Sequence, residues 1–232
     1  MGGQEQWRAM AGSAWQIDFL AKLPPGERAD ASAQPHFVSI GAGISAMQFE
    51  RNGAPFAFIG ANMWYAPNLA ATAAGRSRLT RELDRMQMLG LRGIRLMALS
   101  EGPAVSHWRV SPTLQPAPGV FDSSVEQGLD FVMAELGKRE MHAILCLGNF
   151  WTWSGGMAQY VSWATGEDAP LLSPLIKDEA WDVHAHLAAQ FYDDRRACGL
   201  WHLALVRLLT RRNSITSLLY KDDPTLYAVA QA

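Results

Sequence analysis

Short apolar runs near the start of the chain predict extended structure. They lie at His36–Ile40, Ser45–Glu50 and Pro55–Gly60, and each has the length and β-branched or aromatic content of a strand. Arg51–Gly53 reads RNG between the second and third runs, which predicts a hairpin turn. The third run stays apolar on both faces through Phe56–Trp64, so we expect that strand in the interior of a sheet.

Two amphipathic helices follow, recognised by apolar residues that recur every three or four positions. The buried stripe of the first is predicted to be Leu79, Leu83, Met86 and Leu89, with Gly90 as its stop. The second is expected to begin at Asp122 as N-cap, with Ser123 and Glu126 at capping-box spacing. The buried stripe of the second helix is predicted to be Val125, Leu129, Val132, Met133 and Leu136.

Further strands alternate with these helices along the chain. They are predicted at Gly93–Ser100, His142–Asn149 and Thr225–Ala232, and a long helical region over 178–212 is expected to break near Asp193 and Asp194. Alternating strands and helices imply right-handed crossovers and a parallel sheet. No glycine-rich nucleotide fingerprint follows the first long strand. Aromatic and amide residues instead cluster just after the strands, which favours an α/β barrel of the TIM type.

Composition excludes several classes of function. The net charge of −2 at 232 residues gives no bias toward nucleic acid, and no apolar run is long enough for a membrane span. Residues 1–35 predict a loosely ordered segment without a visible signal peptide. Cys146 and Cys198 are interpreted as small core residues, and the histidines show no metal-ligand spacing. We therefore expect no metal and no cofactor.

The loop after the third long strand carries the candidate chemistry. In GNFWTWSGGMAQYVSW, the rings of Trp151, Trp153, Tyr160 and Trp163 accompany Asn149 and a Gly-Gly pair. An indole plane can cover the C–H face of a sugar while amides reach its hydroxyl rim. These residues alone leave two readings open: tryptophans that stack sugars, or tryptophans that only plug the end of a barrel.

Four segments occur in order and at the spacing of one known family. They are PFAFIGANMWYAPNL, LTRELDRMQMLGLRGIRLMALSEGP, the long stretch from LQPAPGVFDSSVEQGLDFVMAELGKR to YVSWA, and YKDDPTLYAVAQA. Over residues 37–232 the chain resembles the N-terminal half of the endo-β-1,4-mannanases of glycoside hydrolase family 5. The resemblance implies the first four units of a (β/α)8 barrel, preceded by a short β-hairpin, with residues 36–232 as one partial catalytic domain. It also implies a polysaccharide partner: mannan, glucomannan or galactomannan.

The same resemblance implies roles for single residues. Arg95 matches the family arginine beside the catalytic nucleophile, the alternative being a structural ion pair. Trp151 matches a sugar-stacking tryptophan, with Asn149 and Trp153 beside it, and packing is the alternative. Trp64 and Tyr65 match an aromatic pair after the first long strand, which either lines the cleft or belongs to the core. Glu101 is expected to fix its own loop by hydrogen bonding and not to act as a catalytic acid.

Retaining hydrolysis uses two carboxyl groups about 5–5.5 Å apart. In the family both are glutamates, one in an N-E-P motif after the fourth barrel strand and one ending the seventh. Residues 225–232 match the fourth strand, and neither glutamate occurs in the 232 residues, so we expect this chain alone to be inactive. Two alternatives remain open: residual carbohydrate binding, or self-association through the open barrel edges. The family is usually extracellular, although this N-terminus carries no visible signal.

Overall fold

A computed structural model describes residues 38–40, 49–103, 108–166 and 179–231 of the chain. The predicted loose segment over residues 1–35 lies outside the described residues, as do parts of the first two predicted strands. Within the described ranges, every helix is too short or too polar to cross a membrane.

An antiparallel hairpin sheet precedes the main fold. It consists of β1 (Val38–Ile40), β2 (Phe49–Arg51) and β3 (Ala54–Pro55), in that spatial order. Between β2 and β3, Asn52 and Gly53 have φ angles of 56° and 75°. Left-handed backbone at both central positions is the geometry that an Asn-Gly hairpin turn requires. The predicted hairpin is therefore confirmed.

The main sheet has four parallel strands in sequence order. They are β4 (Gly60–Asn62), β5 (Gly93–Met97), β6 (His142–Gly148) and β7 (Leu226–Gln231). Every neighbouring pair is parallel. This arrangement confirms the predicted α/β class and agrees with the first units of a (β/α)8 barrel. Among the described residues, β4 and β7 are each hydrogen-bonded to a strand on one side only.

The predicted long strand over Phe56–Trp64 was wrong in extent, because only Gly60–Asn62 pairs in the sheet. The preceding residues are apolar for another reason. The ring of Phe56 lies 5.1 Å from that of His142, and the ring of Phe58 lies 5.0 Å from that of Tyr227. The side chains thus form an aromatic cluster beside the amino ends of the strands, which accounts for the two phenylalanines, whereas Ile59 is 76% exposed.

The helices cover one face of the sheet. Six are α-helical: α1 (Ala66–Ala70), α2 (Ala73–Met88), α3 (Ser123–Lys138), α4 (Gly156–Thr165), α5 (Glu179–Ala189) and α6 (Arg195–Thr210), within the described part. Short 3-10 turns occur at Thr152–Ser154, Gln190–Tyr192 and Tyr220–Asp222. The predicted break near Asp193 is confirmed, since Asp194 accepts hydrogen bonds from the first amides of α6.

The capping and stripe predictions had mixed outcomes. Asp122 caps α3, because its Oδ1 accepts from the amides of Ser124 and Val125 at 2.9 and 3.1 Å. The predicted capping box was wrong: Ser123 is the first helical residue. Glu126 instead accepts from Arg207 at 2.8 Å.

In the predicted stripe of α2, Leu79 and Leu83 are fully buried. Leu89 was wrongly placed there, since it lies beyond the last residue of the helix and is 72% exposed. All five predicted stripe residues of α3 are buried: Val125, Leu129, Val132, Met133 and Leu136.

The alternation of side chains along the strands gives the sheet two different faces. Ile94, Leu96, Ala143 and Leu145 join the helix side chains in the main hydrophobic core. Arg95, Ile144 and Cys146 alternate with them and therefore lie on the opposite face, which would be the interior of a barrel. Arg95 is the charged residue among these three, and it is the residue that the resemblance places beside the catalytic nucleophile.

Gly128 provides a test of how tightly α1 and α3 pack. A Cβ at this position would overlap the carbonyl oxygen of Pro67 in α1 and lie 2.9 Å from the amide nitrogen of Ala71. We expect Gly128→Ala to lower the free energy of unfolding by about 1–3 kcal/mol, because overpacking outweighs the gain in helix propensity.

The matched control for that substitution is Gly199→Ala in α6, where a Cβ would meet nothing within 4 Å. It should be stabilising by up to about 1 kcal/mol. Urea unfolding of both variants measures the difference, and equal effects would contradict the close approach of α1 and α3.

Candidate functional site

The carboxyl ends of the parallel strands open on a cavity of about 830 Å³. Its walls come from residues after β4, from the segment after Glu101 and from the loop after β6. Among the described residues, the lining consists of Trp64, Tyr65, Asn68, Leu69, Trp108, Arg109, Val110, Ser111 and Trp153. This edge of a parallel barrel sheet is where binding and catalytic groups are usually placed.

Three aromatic side chains that line this cavity contact one another, and we call them the inner aromatic group: Trp64, Tyr65 and Trp153. The rings of Trp64 and Trp153 are 4.7 Å apart at 59°, and those of Trp64 and Tyr65 are 5.5 Å apart at 85°. Trp64 is 38% exposed. Tyr65 additionally packs against the main core. The structure thus brings together three of the predicted site residues at one surface that solvent can reach.

Arg95 lies at the centre of β5 and is half-buried on the barrel-interior face. Its Nη2 donates to the sulfur of Cys146 on β6 at 3.1 Å. No carboxylate in the described parts of the chain forms an ion pair with it. Burial raises the pKa of the Cys146 thiol, although the nearby guanidinium opposes this shift. The thiol therefore stays neutral and does not form an ion pair with Arg95.

Asn149 and Trp151 occupy different positions from the inner aromatic group. Asn149 follows β6 directly, is buried, and accepts the Trp151 amide through its Oδ1 at 3.1 Å. Trp151 is 49% exposed and packs against Trp181 of α5, with ring centroids 5.2 Å apart. The predicted residues therefore divide into an inner set, a buried amide beneath the loop and an outer tryptophan.

Sequence reasoning missed several residues at this edge. Trp108 and Arg109 line the cavity, and a signal existed because they follow the SEGP segment that ends a strand. Asn68 also lines it, and its side-chain amide donates to the carbonyl of Pro112 at 2.6 Å. Trp181 gave no usable signal, since it lies 30 positions after Trp151 within a region of ordinary helical pattern.

Glu101 is fully buried and connects its own segment to the loop after β6. Its Oε2 accepts from the Gly156 amide at 2.9 Å, and its Oε1 accepts from the Tyr160 hydroxyl at 3.1 Å. Its own amide donates to the carbonyl of Ser154 at 2.8 Å. Burial raises the pKa of Glu101 to about 7, even though these hydrogen bonds oppose the shift. This geometry supports the expected loop-fixing role, because the side chain does not line the cavity.

The Gly-Gly pair in the loop after β6 is needed for close approach. Gly155 and Gly156 have φ angles of 92° and 63°. A Cβ on Gly155 would overlap the carbonyl of Glu101, and one on Gly156 would overlap the carbonyl of Asn149. The backbone can therefore pass directly over Glu101 and place Trp153 at the cavity, where a side chain on either residue would push it away.

His184 is a buried residue behind the loop after β6. His184 is fully buried, and its Nε2 lies 2.8 Å from the carbonyl of Phe150. Burial lowers its pKa, so the ring is neutral and donates this hydrogen bond. Across the described ranges, no group of three or more His, Cys, Asp or Glu side chains is placed to hold a metal ion.

Comparisons with known proteins agree with this geometry. The family model described as GH family 5 beta-mannosidase-like matches residues 36–232. Mannan endo-1,4-beta-mannosidase 1 from Solanum lycopersicum is 35% identical over 186 residues, which is 80% of this chain and 42% of that protein. Putative mannan endo-1,4-beta-mannosidase 9 from Oryza sativa subsp. japonica is 34% identical over 89% of this chain and 44% of its own length.

Solved structures give the same result for the fold. The glycoside hydrolase family 5 mannosidase from Rhizomucor miehei superposes with a TM-score of 0.79 at 33% identity, covering 86% of this chain and 49% of that one. The endo-1,4-beta-mannanase from the same organism superposes at 0.60 with 23% identity and shares the fold. The chain therefore spans about half the length of the relatives it matches.

Proposed function

We propose, from the premise that this chain belongs to the beta-mannosidase-like members of glycoside hydrolase family 5, that residues 36–232 form one side of a β-mannan-binding cleft. The observation that carries the proposal is the packed pair of Trp64 and Trp153 at the strand ends, open to an 830 Å³ cavity. The reaction served is hydrolysis of internal β-1,4-mannosidic bonds, and the polymer is mannan, glucomannan or galactomannan.

The inner aromatic group is suited to an uncharged sugar chain. Its rings offer flat apolar surface to the C–H faces of pyranose rings. Asn68 and Arg109 border the same cavity and bring polar groups toward the hydroxyl rim. The described lining contains no Asp or Glu, so the cavity carries no fixed negative charge of its own.

Arg95 has a separate proposed role in catalysis. Retaining hydrolysis requires an acid/base carboxyl group and a nucleophilic carboxylate about 5–5.5 Å apart. The described lining of the cavity contains no carboxylate, and the two oxygens of the buried Glu101 accept from Gly156 and Tyr160. We assign Arg95 to orienting a nucleophilic carboxylate supplied from outside the described residues and to favouring its ionised state.

The chain alone is therefore expected to release no reducing ends from mannan above a buffer blank. The measurement is a reducing-sugar assay on purified protein with β-mannan. Hydrolysis that is abolished in an Arg95→Ala variant would contradict this expectation, because it would locate a complete catalytic pair within these 232 residues.

Binding is tested by tryptophan fluorescence during titration with mannohexaose. We expect saturable binding by the wild-type chain, and Trp153→Ala should weaken it about tenfold, which corresponds to about 1.4 kcal/mol. Trp163→Ala is the matched control, because Trp163 packs on Tyr160 of α4 and does not line the cavity. No fluorescence change up to millimolar mannohexaose would rule out the proposed cleft.

Self-association is a second proposal, and it rests on the sheet edges. Among the described strands, β4 and β7 have a paired neighbour on one side only, and Val229 of β7 is 49% exposed. Unpaired strand edges favour pairing with another chain. Light scattering should detect dimers or larger species that grow with concentration, whereas a monodisperse monomer would contradict this proposal.

A further inference from the structure

Three polar side chains are completely buried between the segment after β5 and helix α4, and we call them the buried triad: Glu101, Gln115 and Tyr160. The hydroxyl oxygen of Tyr160 lies 3.1 Å from Oε1 of Glu101 and 3.2 Å from Oε1 of Gln115. Burial raises the pKa of Tyr160 well above its ordinary value, so the hydroxyl keeps its proton. A hydroxyl group has one proton to donate, and it can therefore bond to only one of the two neighbouring oxygens at a time.

A proton on Glu101 satisfies all three oxygens in the positions that they occupy. The Glu101 carboxyl group then donates to the Tyr160 oxygen, and the Tyr160 hydroxyl donates to Gln115. The second oxygen of Glu101, Oε2, remains an acceptor for the Gly156 amide at 2.9 Å. The group left over is Nε2 of Gln115, which is buried and for which no acceptor exists in the described part of the chain.

Loss of that proton reverses the direction of the hydrogen bonds. Tyr160 then donates to the Glu101 carboxylate, and its oxygen becomes free to accept. A half-turn of the Gln115 amide brings Nε2 to the position of Oε1, because the two ends of an amide have nearly the same shape. The ionised state thus pairs the donor that the neutral state leaves unpaired, but it buries a charge. The pKa of Glu101, which burial raises to about 7, agrees with two states that exchange near neutral pH.

The buried triad also supports the wall of the cavity. The carbonyl oxygen of Glu101 accepts from Nη2 of Arg109 at 2.6 Å, and its amide donates to Ser154, the residue after Trp153. Arg109 is 7% exposed and is the charged residue of the described lining. It forms no ion pair within the residues that the structure describes.

The charged and titratable groups that face Glu101 come from three elements. They are Arg109 from its own segment, Tyr160 from α4 and the thiol of Cys146 from β6. Burial raises the pKa of this thiol, and Glu101 raises it to a smaller extent, so the thiol stays neutral. Ionisation of Glu101 therefore places a negative charge near one positive group, the guanidinium of Arg109.

We propose that the buried triad is a proton-dependent switch in the cavity wall, in which gain or loss of one proton at Glu101 reverses the hydrogen bonds through Tyr160 and turns the Gln115 amide. The proton is exchanged with water, and no other covalent bond forms or breaks. The protonated switch leaves the charge of Arg109 uncompensated at the cavity, whereas the ionised switch compensates it. The cavity wall thus has two charge states, and this property does not depend on mannan binding.

Proton–nitrogen correlation NMR of the full chain without ligand, from about pH 5 to about pH 9, tests the switch. In the wild type, the Gly156 amide should shift with pH because it donates to the Glu101 carboxyl group. The side-chain amide of Gln115 and the Nε–H group of Arg109 should shift with the same midpoint. Glu101→Gln should abolish all three transitions, because glutamine does not ionise.

Tyr160→Phe removes the hydroxyl that connects Glu101 to Gln115. The Gly156 amide should still titrate in this variant, whereas the pH-dependent shift of the Gln115 side chain should fall to less than about half of its wild-type size. Tyr192→Phe is the matched control, because Tyr192 is 65% exposed and packs on Phe191. It should leave all three transitions as they are in the wild type.

The wild-type spectra decide the question even if the variants fail to fold. A Gly156 transition that the Gln115 side chain does not follow would overturn the inference, and so would the absence of any Gly156 transition across this pH range. An undiminished Gln115 shift in a folded Tyr160→Phe variant would overturn it as well. Because the samples contain no sugar, a failure of mannan binding would leave this result unaffected.

Discussion

Replacing Asp130 with alanine should lower the free energy of unfolding by about 3–5 kcal/mol, the range expected when one partner of a buried ion pair is removed. The Asp130 carboxylate is completely buried in α3. It receives both Nη groups of Arg211 at 2.5 and 2.9 Å and the hydroxyl of Tyr220 at 2.6 Å. The amide and the hydroxyl of Ser214 donate to it as well, at 3.0 and 2.8 Å. Alanine would leave all these donors without their acceptor.

The pKa of Asp130 reflects this network. Burial by itself would raise it, but the hydrogen bonds from Arg211, Tyr220 and Ser214 outweigh burial and hold it below the ordinary value of 3.8. The stabilisation is therefore present above the unfolded-state pKa and is lost as pH falls through the folded-state pKa. The loss of unfolding free energy in Asp130→Ala should therefore be largest at neutral pH and become smaller in strong acid.

Asp84→Ala is the matched control for Asp130→Ala. Asp84 pairs with Arg139 at 2.6 Å but remains 53% exposed, so its removal should cost no more than about 1 kcal/mol. Urea unfolding at neutral pH compares the two variants. A loss below about 1 kcal/mol for Asp130→Ala would show that the network contributes little to the connection between α3 and the segment leading to β7.

The second large effect is expected for Glu101→Gln, which should change how the free energy of unfolding depends on pH. The folded-state pKa of Glu101 is about 7, against an ordinary value of 4.5. Below the lower value the carboxyl group is protonated in both the folded and the unfolded chain. Between the two values only the unfolded chain ionises, so wild-type stability falls as pH rises. The full difference corresponds to roughly 3 kcal/mol.

Glutamine at position 101 stays neutral throughout and keeps an oxygen for the Gly156 amide. We therefore expect Glu101→Gln to resemble the wild type at pH 4 and to be more stable by roughly 3 kcal/mol at pH 8. Unfolding titrations across this range measure the difference, with Glu140→Gln as an exposed control. A stability difference that does not vary with pH would contradict a folded-state pKa of Glu101 that lies above its value in the unfolded chain.

The sequence predicted those features that are set by local chemistry. Asn52-Gly53 specified the hairpin because both residues tolerate left-handed backbone, and Asp122 specified the start of α3 because its carboxylate reaches two orphan amides. The prediction for Leu89 was wrong because the apolar periodicity continues past the end of α2, where the side chain is exposed. The prediction of a long strand that includes Phe56 and Phe58 was wrong for another reason. An apolar run does not specify whether its side chains pack in a sheet or in an aromatic cluster.

The candidate site was predictable in part for the same reason. Residues directly after parallel strands must meet at one edge, so Trp64, Tyr65 and Trp153 could be grouped from the sequence. The separation of Trp151 from that group could not be predicted, because it depends on a contact with Trp181 of α5, which is distant in the sequence. The role of Gly155 was likewise hidden, since close approach to the carbonyl of Glu101 is a tertiary contact.

The aromatic cluster beside the amino ends of the strands bears on how the sheet acquires its curvature. Phe58 lies two residues before β4, the first strand of the sheet, and Tyr227 lies on β7, the fourth, yet their rings are 5.0 Å apart at 90°. In a flat sheet the outer two of four strands are separated by about 14 Å, and side chains stand roughly perpendicular to the surface. The two rings instead bridge the outer strands across the amino end of the sheet. A contact of this kind draws β4 and β7 toward each other, so side chains within these four strands help to stabilise the arc of a barrel.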